Sequence, residues 1–170
     1  LCIVPERLED AENIYKYMGC DPEITRYTGW NPYATPEAAR EKVAEDIRGY
    51  QASGCYAWII QWGEAVVGTI GAYDYDPKTS AIEIGYSIFK PYWGRGFASE
   101  AVGEVVRYLF EKERMQRIHA WCHGDHGASA RVLEKAGLKL EGLRKQAMRN
   151  PDGSPADQKL YGVSAEQWSL

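Results

Sequence analysis

The hydrophobic and polar positions change period several times along the chain. In the first fifth, Asp10 to Met18 has helical character and stops at Gly19, while Thr35-Pro36-Glu37 supplies an N-cap, a proline at the first helical position and an early acid. These signals predict two helices, the second running to about Ala52. Three runs follow, "CYAWIIQW", "AVVGTIGAYDY" and "AIEIGYSIF", separated by Gly63-Glu64 and Asp76-Pro77-Lys78-Thr79. Aromatic and β-branched runs bounded by turn residues predict an antiparallel meander of three strands. The period then switches, with Ala98, Val102, Val105, Val106 and Leu109 recurring at helical spacing. A further strand, "RIHAWC", leads to a helix from about Ala128 to Ala136, ended by Gly137 as a left-handed cap. "LEGLRKQAMR" and "DQKLYGV" flank the turn-forming "NPDGSP" and predict a closing hairpin. Helices, meander, helix, strand, helix and hairpin make a mixed α/β domain spanning residues 1–170, without internal repeats.

Composition narrows the function classes. With 170 residues and 45% hydrophobic content, the chain suits one domain with a sizeable core. Its net charge of −4 is interspersed, so it lacks the basic stripe that a nucleic-acid partner requires. No run approaches the ~18 apolar residues of a membrane span, and the start carries no positively charged leader, which predicts a soluble, cytoplasmic protein with no membrane partner. Cys2, Cys20, Cys55 and Cys122 are scattered and read as reduced, packed thiols.

Candidate chemistry concentrates in "PYWGRGFASEA", which sets two glycines and an arginine just before a helix. A helix N-terminus offers unpaired amides and about half a positive charge, and glycines let phosphates approach bare backbone. Gly94 and Gly96 are placed for a pyrophosphate cradle, Arg95 adds a charge, and the Ser99 hydroxyl can cap one more oxygen. A dinucleotide fingerprint is the competing reading of Gly94-x-Gly96. It fails because Ser99 occupies the last glycine, "KPYW" intervenes, and the preceding strands form a meander instead of a βαβ unit. A turn that merely connects is the bland alternative.

"IEIGYSIFKPYWGRGFASEAV" followed by "ASARVLEKAGLKLEG" resembles the GNAT N-acetyltransferases, in particular the branch similar to the RimJ/RimL enzymes that acetylate protein N-terminal amines. "DPEITRYTGW" and "DQKLYGVSAEQW" extend the similarity over nearly the whole chain. The resemblance implies a mixed, mostly antiparallel sheet splayed at its centre with helices on both faces, and acetyl-CoA as co-substrate between the strands "AIEIGYSIF" and "RIHAWC". It assigns the acyl-CoA loop to Trp93, Gly94, Arg95, Gly96, Phe97 and Ala98, matching the family at Gly96 and Ala98 and departing at Trp93. Where the family has Asn-x-x-Ser, this chain has His126 and Ser129, both implied to lie at the cofactor. Leu133 stands where many members carry a tyrosine acid, and Met148 where some of this branch carry a proposed glutamate base.

Acyl transfer from a thioester to an amine requires a neutral nucleophile, stabilisation of the developing oxyanion, and protonation of the departing thiolate. The backbone amides of Ile88 or Phe89 are candidate oxyanion donors where the strands part. Glu83 is the candidate base, its alternative being a charge on a solvent-facing strand. With Leu133 unable to act, the acid is Ser129 or water. The alternative for Ser129 is a helix-end residue bonding its own backbone. Tyr27, Trp30, Tyr33 and Tyr73 are candidates to hold the acceptor, the first three in a loop that otherwise reads as an ordinary packed connection. In "HAWCHGDH", His119 and His123 share a strand face but sit ~13 Å apart and Cys122 points away, so no metal site is expected. The expected activity is acetyl transfer to a peptide or protein N-terminal amine, by a monomer or homodimer. Small polyamines or antibiotics are alternative acceptors, and a non-catalytic CoA sensor is the rival from another class.

Overall fold

The computed structural model describes residues 1–28, 32–51 and 54–168. Trp30 lies outside the described residues. Seven strands form one sheet in the order β1-β2-β3-β4-β5-β7-β6, where β1 is Cys2–Pro5, β2 Tyr56–Trp62, β3 Ala65–Asp76, β4 Ala81–Ile88, β5 Arg117–His123, β6 Lys139–Arg149 and β7 Pro155–Ser164. Among the described strand pairs, only β4–β5 is parallel. Its two strands run in the same direction because a whole helix, α4 (Phe97–Glu111), returns the chain between them.

One helical layer comprises α1 (Ala11–Ile14), which continues as a wider turn through Gly19, with α2 (Pro22–Thr25) and α3 (Pro36–Gln51). Thr35 caps α3, its hydroxyl accepting from the Ala38 amide at 3.2 Å, as the Thr-Pro-Glu signal predicts. The other layer comprises α4 and α5 (Gly127–Lys135), and a last short helix, α6 (Ala165–Trp168), follows β7. Gly137 takes the left-handed conformation, φ 92°, that ends α5.

Two apolar clusters hold the layers to the sheet. Ile14, Met18, Ile24 and Val43 pack with Ile59 and Phe89, while Val102, Val106, Leu109 and Leu133 pack with Ile60, Ile82, Ile84 and Ile118. Ile59 and Ile60 are consecutive yet both wholly buried, because β2 is covered on both faces. The short strand β1 has no counterpart in the sequence reading. Four residues carry too little alternation to announce a strand, and it forms by pairing with β2.

The sheet is splayed at its centre. β4 pairs with β5 only from Ala81–Arg117 to Glu83–His119, although β4 continues to Ile88 and β5 to His123.

Candidate active site

The loop ahead of α4 is built as an open cradle. Gly94 and Gly96 have φ of 73° and 82°, and a Cβ on either would meet nothing within 4 Å. Glycine is needed there for its left-handed backbone and keeps the surface bare. Gly96 occupies the N-cap position without a side-chain cap, and the first helical bond runs from the Glu100 amide to the Gly96 carbonyl at 3.1 Å. The amides of Phe97, Ala98 and Ser99 thus precede the ladder and face outward. Arg95 is steadied over the rings of Trp62, 5.0 Å away, and Tyr92, 5.9 Å away. Bare backbone, free amides and a fixed cation together fit the phosphates of a CoA-type ligand.

Trp93 ties this loop to β4, its indole N–H donating to the Ile88 carbonyl at 2.6 Å. One expectation is corrected here. The Phe89 amide donates to the Val67 carbonyl at 2.8 Å and its side chain is wholly buried, so Phe89 is a strut and offers no oxyanion donor. The same bond fixes the alternation of the ladder. It turns the Ile88 amide away from β3 toward the gap, which leaves Ile88 as the candidate of the two.

On the α1–α3 face of the gap, Glu83 is half-buried, its side chain 16% exposed, and does not point into solvent. It is the last β4 residue to pair with β5, and its Oε2 lies 3.5 Å from Nε2 of its cross-strand partner His119. The Tyr73 phenol lies near Glu83, and burial first, then that carboxylate, push the phenol's pKa up. Tyr73 reaches across Gly85, where a Cβ would stand 2.5 Å from its hydroxyl. His119 Nδ1 is buried without a partner. Glu141 is bound by Arg117, with one contact at 2.9 Å, and that hydrogen bond holds its carboxyl below the usual range.

On the α4–α5 face, the Tyr86 hydroxyl lies 2.8 Å from Ser129 Oγ and 3.2 Å from the Ser129 carbonyl. The bond crosses from β4 to the first turn of α5. Tyr86 was not singled out from the sequence, although a phenol at an alternate position among Ile82, Ile84 and Ile88 is a polar tip on an apolar face that needs a partner. Leu133 is wholly buried core.

The other candidates separate. Tyr27 stacks on His126, with ring centroids 4.4 Å apart, and meets His123 edge-on at 5.2 Å. Burial and then His123 lower the His126 pKa, keeping its ring neutral near pH 7. His123 Nδ1 accepts from the Asp125 amide, so the neutral ring carries its proton on Nε2 and donates to Asn150 Oδ1 at 2.9 Å. Tyr33 sits instead in the α1–α3 packing, its amide bonded to the Gly19 carbonyl and its phenol pushed up to about 12, chiefly by burial. Met148 is turned inward past an irregular stretch of β6 and buried opposite Ala156. Among the described residues, no three His, Cys, Asp or Glu side chains converge on a metal position, and no helix is long and apolar enough to cross a membrane.

The family model of the acetyltransferase (GNAT) domain matches residues 1–139. The chain is a GNAT N-acetyltransferase. Its relatives include the uncharacterized N-acetyltransferase YoaA of Bacillus subtilis (strain 168), 34% identical over 157 residues, covering 91% of this chain and 88% of the relative. The ribosomal-protein-serine acetyltransferase of Escherichia coli (strain K12) is 25% identical over 111 residues, 65% of this chain and 62% of that one. Two solved structures share the fold at a TM-score of 0.88. One is RimL, a ribosomal L7/L12 α-N-protein acetyltransferase in complex with coenzyme A, at 20% identity over 95% of this chain and 92% of that one. The other is a Vibrio cholerae spermidine N-acetyltransferase in complex with CoA and spermine, at 15% identity over 99% and 98%. One GNAT scaffold therefore serves proteins named for quite different amines.

Proposed function

We propose that the protein transfers the acetyl group of acetyl-CoA directly to a peptide or protein N-terminal amine within a ternary complex. Gly94, Arg95 and Gly96 and the amides of Phe97, Ala98 and Ser99 hold the pyrophosphate, with His126 near the cofactor. The amine enters from the α1–α3 face, where Tyr73 and Tyr27 guide its first residues and Glu83 accepts its proton. The Ile88 amide supports the developing oxyanion, and Ser129 donates to the leaving sulfur from the opposite face.

The observation that carries this reading is the Glu83 carboxylate held at the end of the β4–β5 pairing between Tyr73 and His119. Glu141 is already engaged by Arg117 and Met148 has no base to offer, so the deprotonating power near the gap is modest. Freeing a lysine ε-amine of pKa ~10.4 at pH 7 costs about 4.6 kcal/mol, whereas a peptide α-amine of pKa ~7.7–8.0 costs only about 1.0–1.4 kcal/mol. A modest base suits the second. The RimJ/RimL likeness and the relative named for a ribosomal protein point the same way.

The test compares kcat/KM at pH 7 and pH 9 for a lysine-free peptide with a free N-terminus, its N-terminally blocked partner containing one lysine, and spermidine, followed by thiol release. The free peptide is expected to lead clearly at pH 7, and the blocked peptide to narrow the gap at pH 9. Equal or better turnover of the blocked peptide or of spermidine at pH 7 overturns the acceptor assignment. Acetyl-CoA binding without thiol release from any amine identifies a CoA sensor instead.

A further inference from the structure

We infer that Tyr86 is a positioning residue for thiolate departure, holding Ser129 so that its hydroxyl proton faces the leaving sulfur; this rests on the acetyl-transfer reading above. A serine in the first turn of a helix ordinarily turns its hydroxyl back onto the backbone. Here the hydrogen bond of Ser129 Oγ is to Tyr86, at 2.8 Å. The phenol's single proton can go to Oγ or to the Ser129 carbonyl, 3.2 Å away; when it goes to Oγ, the serine's own proton is left to point elsewhere, and two hydroxyls in series polarise one another.

Three placements give this bond its meaning. Tyr86 lies three residues beyond Glu83, past the last β4–β5 pair, so its side chain crosses to α5 where the sheet has parted. Leu133, one turn further along α5, is wholly buried and apolar, so it offers the gap no hydroxyl. Burial pushes the Tyr86 pKa well up, which keeps the phenol protonated, and therefore a donor, throughout the neutral range. The buried thiol of Cys122 is no competing acid, since burial raises its pKa too.

The step balances without a permanent loss from either hydroxyl. The amine nitrogen attacks the thioester carbonyl carbon, the C–N bond forms, and the C–S bonding pair moves onto sulfur. The amine's proton passes to Glu83 and on to solvent. The thiolate accepts a hydrogen bond from Ser129 and takes its proton from solvent as CoA departs.

A double-mutant cycle tests the inference, because a residue acting through Ser129 has nothing to add once Ser129 is gone. Tyr86→Phe and Ser129→Ala are each expected to lower kcat by about tenfold or more, with acetyl-CoA Kd by calorimetry changed less than about twofold. The double variant is expected to match Ser129→Ala. Losses that multiply, or an unchanged kcat in Tyr86→Phe, overturn the inference. Should Tyr86→Phe not fold, 3-fluorotyrosine at position 86 keeps the shape and strengthens the donor. It is expected to change kcat in the parent and not in the Ser129→Ala background, and an equal change in both overturns the inference. A parent protein that acetylates no amine overturns the functional reading and this inference with it, whereas an active parent with an additive cycle overturns the inference alone.

Discussion

In the proposed reaction, the two faces of the sheet at the β4–β5 gap use the same device for opposite ends. On the α1–α3 face, the Tyr73 phenol lies against a carboxylate, Glu83, with an imidazole on its other side. On the α4–α5 face, the Tyr86 phenol lies against a hydroxyl, Ser129. In the proposed mechanism the first partner takes a proton and the second gives a hydrogen bond. On that proposal a buried tyrosine carries no role of its own; the group beside it decides whether its face receives an amine or releases a thiol.

Breaking the donor side ahead of the chemistry should have the largest effect. Gly96→Val places a β-branched residue at φ 82°, in the space left open for phosphate. Because no neighbour is struck, the fold is expected to survive while acetyl-CoA affinity falls at least ~100-fold, roughly two pyrophosphate hydrogen bonds to a charged group. Thermal shift with and without acetyl-CoA reads this directly, and a variant stabilised like the parent would move the cradle elsewhere.

Glu83→Gln removes the proposed proton acceptor and leaves the other face untouched. Its kcat/KM is expected to fall ~10²–10⁴-fold at pH 7 with acetyl-CoA binding retained, and to recover as pH rises and the amine loses its proton unaided. A loss that stays constant from pH 7 to pH 9 would make Glu83 a structural neighbour of His119. Gly85→Ala is gentler, since its methyl would press on the Tyr73 hydroxyl and displace it from Glu83. KM for the amine is expected to rise by ~10-fold, with acetyl-CoA Kd unchanged, on the scale of one polar interaction. An effect on acetyl-CoA instead would mean that the two faces are not separable.

The smallest effect is the control, a carboxyl buried by packing with no part in the reaction. Glu6 faces a cavity of about 260 Å³ lined also by Pro5, Ile47, Tyr50 and Ala57, and one of its oxygens is buried without a partner. Burial first, then Asp46 and Asp10, raise its pKa from an ordinary 4.5 to about 7. The folded state therefore binds the extra proton between those values. The favourable contribution of the neutral acid is complete below about pH 4.5 and is lost as pH rises through 7. Glu6→Gln is accordingly expected to match the parent's Tm at pH 4.5 and exceed it by a few degrees at pH 8, with kcat unaltered. A Tm gain at both pH values would place the benefit in packing, not titration.

Much of this molecule was legible in the chain before any fold was known. Periodicity, the Thr35-Pro36 cap, the Gly137 stop and the bounded β runs are local signals, settled by the conformations available to neighbouring residues, and they located most helices and strands within a residue or two. The uncapped glycine turn before α4 was legible for the same reason, because positive φ and a bare backbone are properties of Gly94 and Gly96 themselves. Only the tertiary structure decided which side chains work together. Strand pairing put His119 beside Glu83 across 36 residues of sequence, the close approach allowed by Gly85 brought in Tyr73, and the parting of β4 from β5 set Tyr86 against Ser129. It also turned the Phe89 amide into the ladder and Tyr33 into the helical layer. A residue's periodicity tells which face it occupies, but the partner on that face comes from another element, and register and splay are settled only when the whole sheet packs.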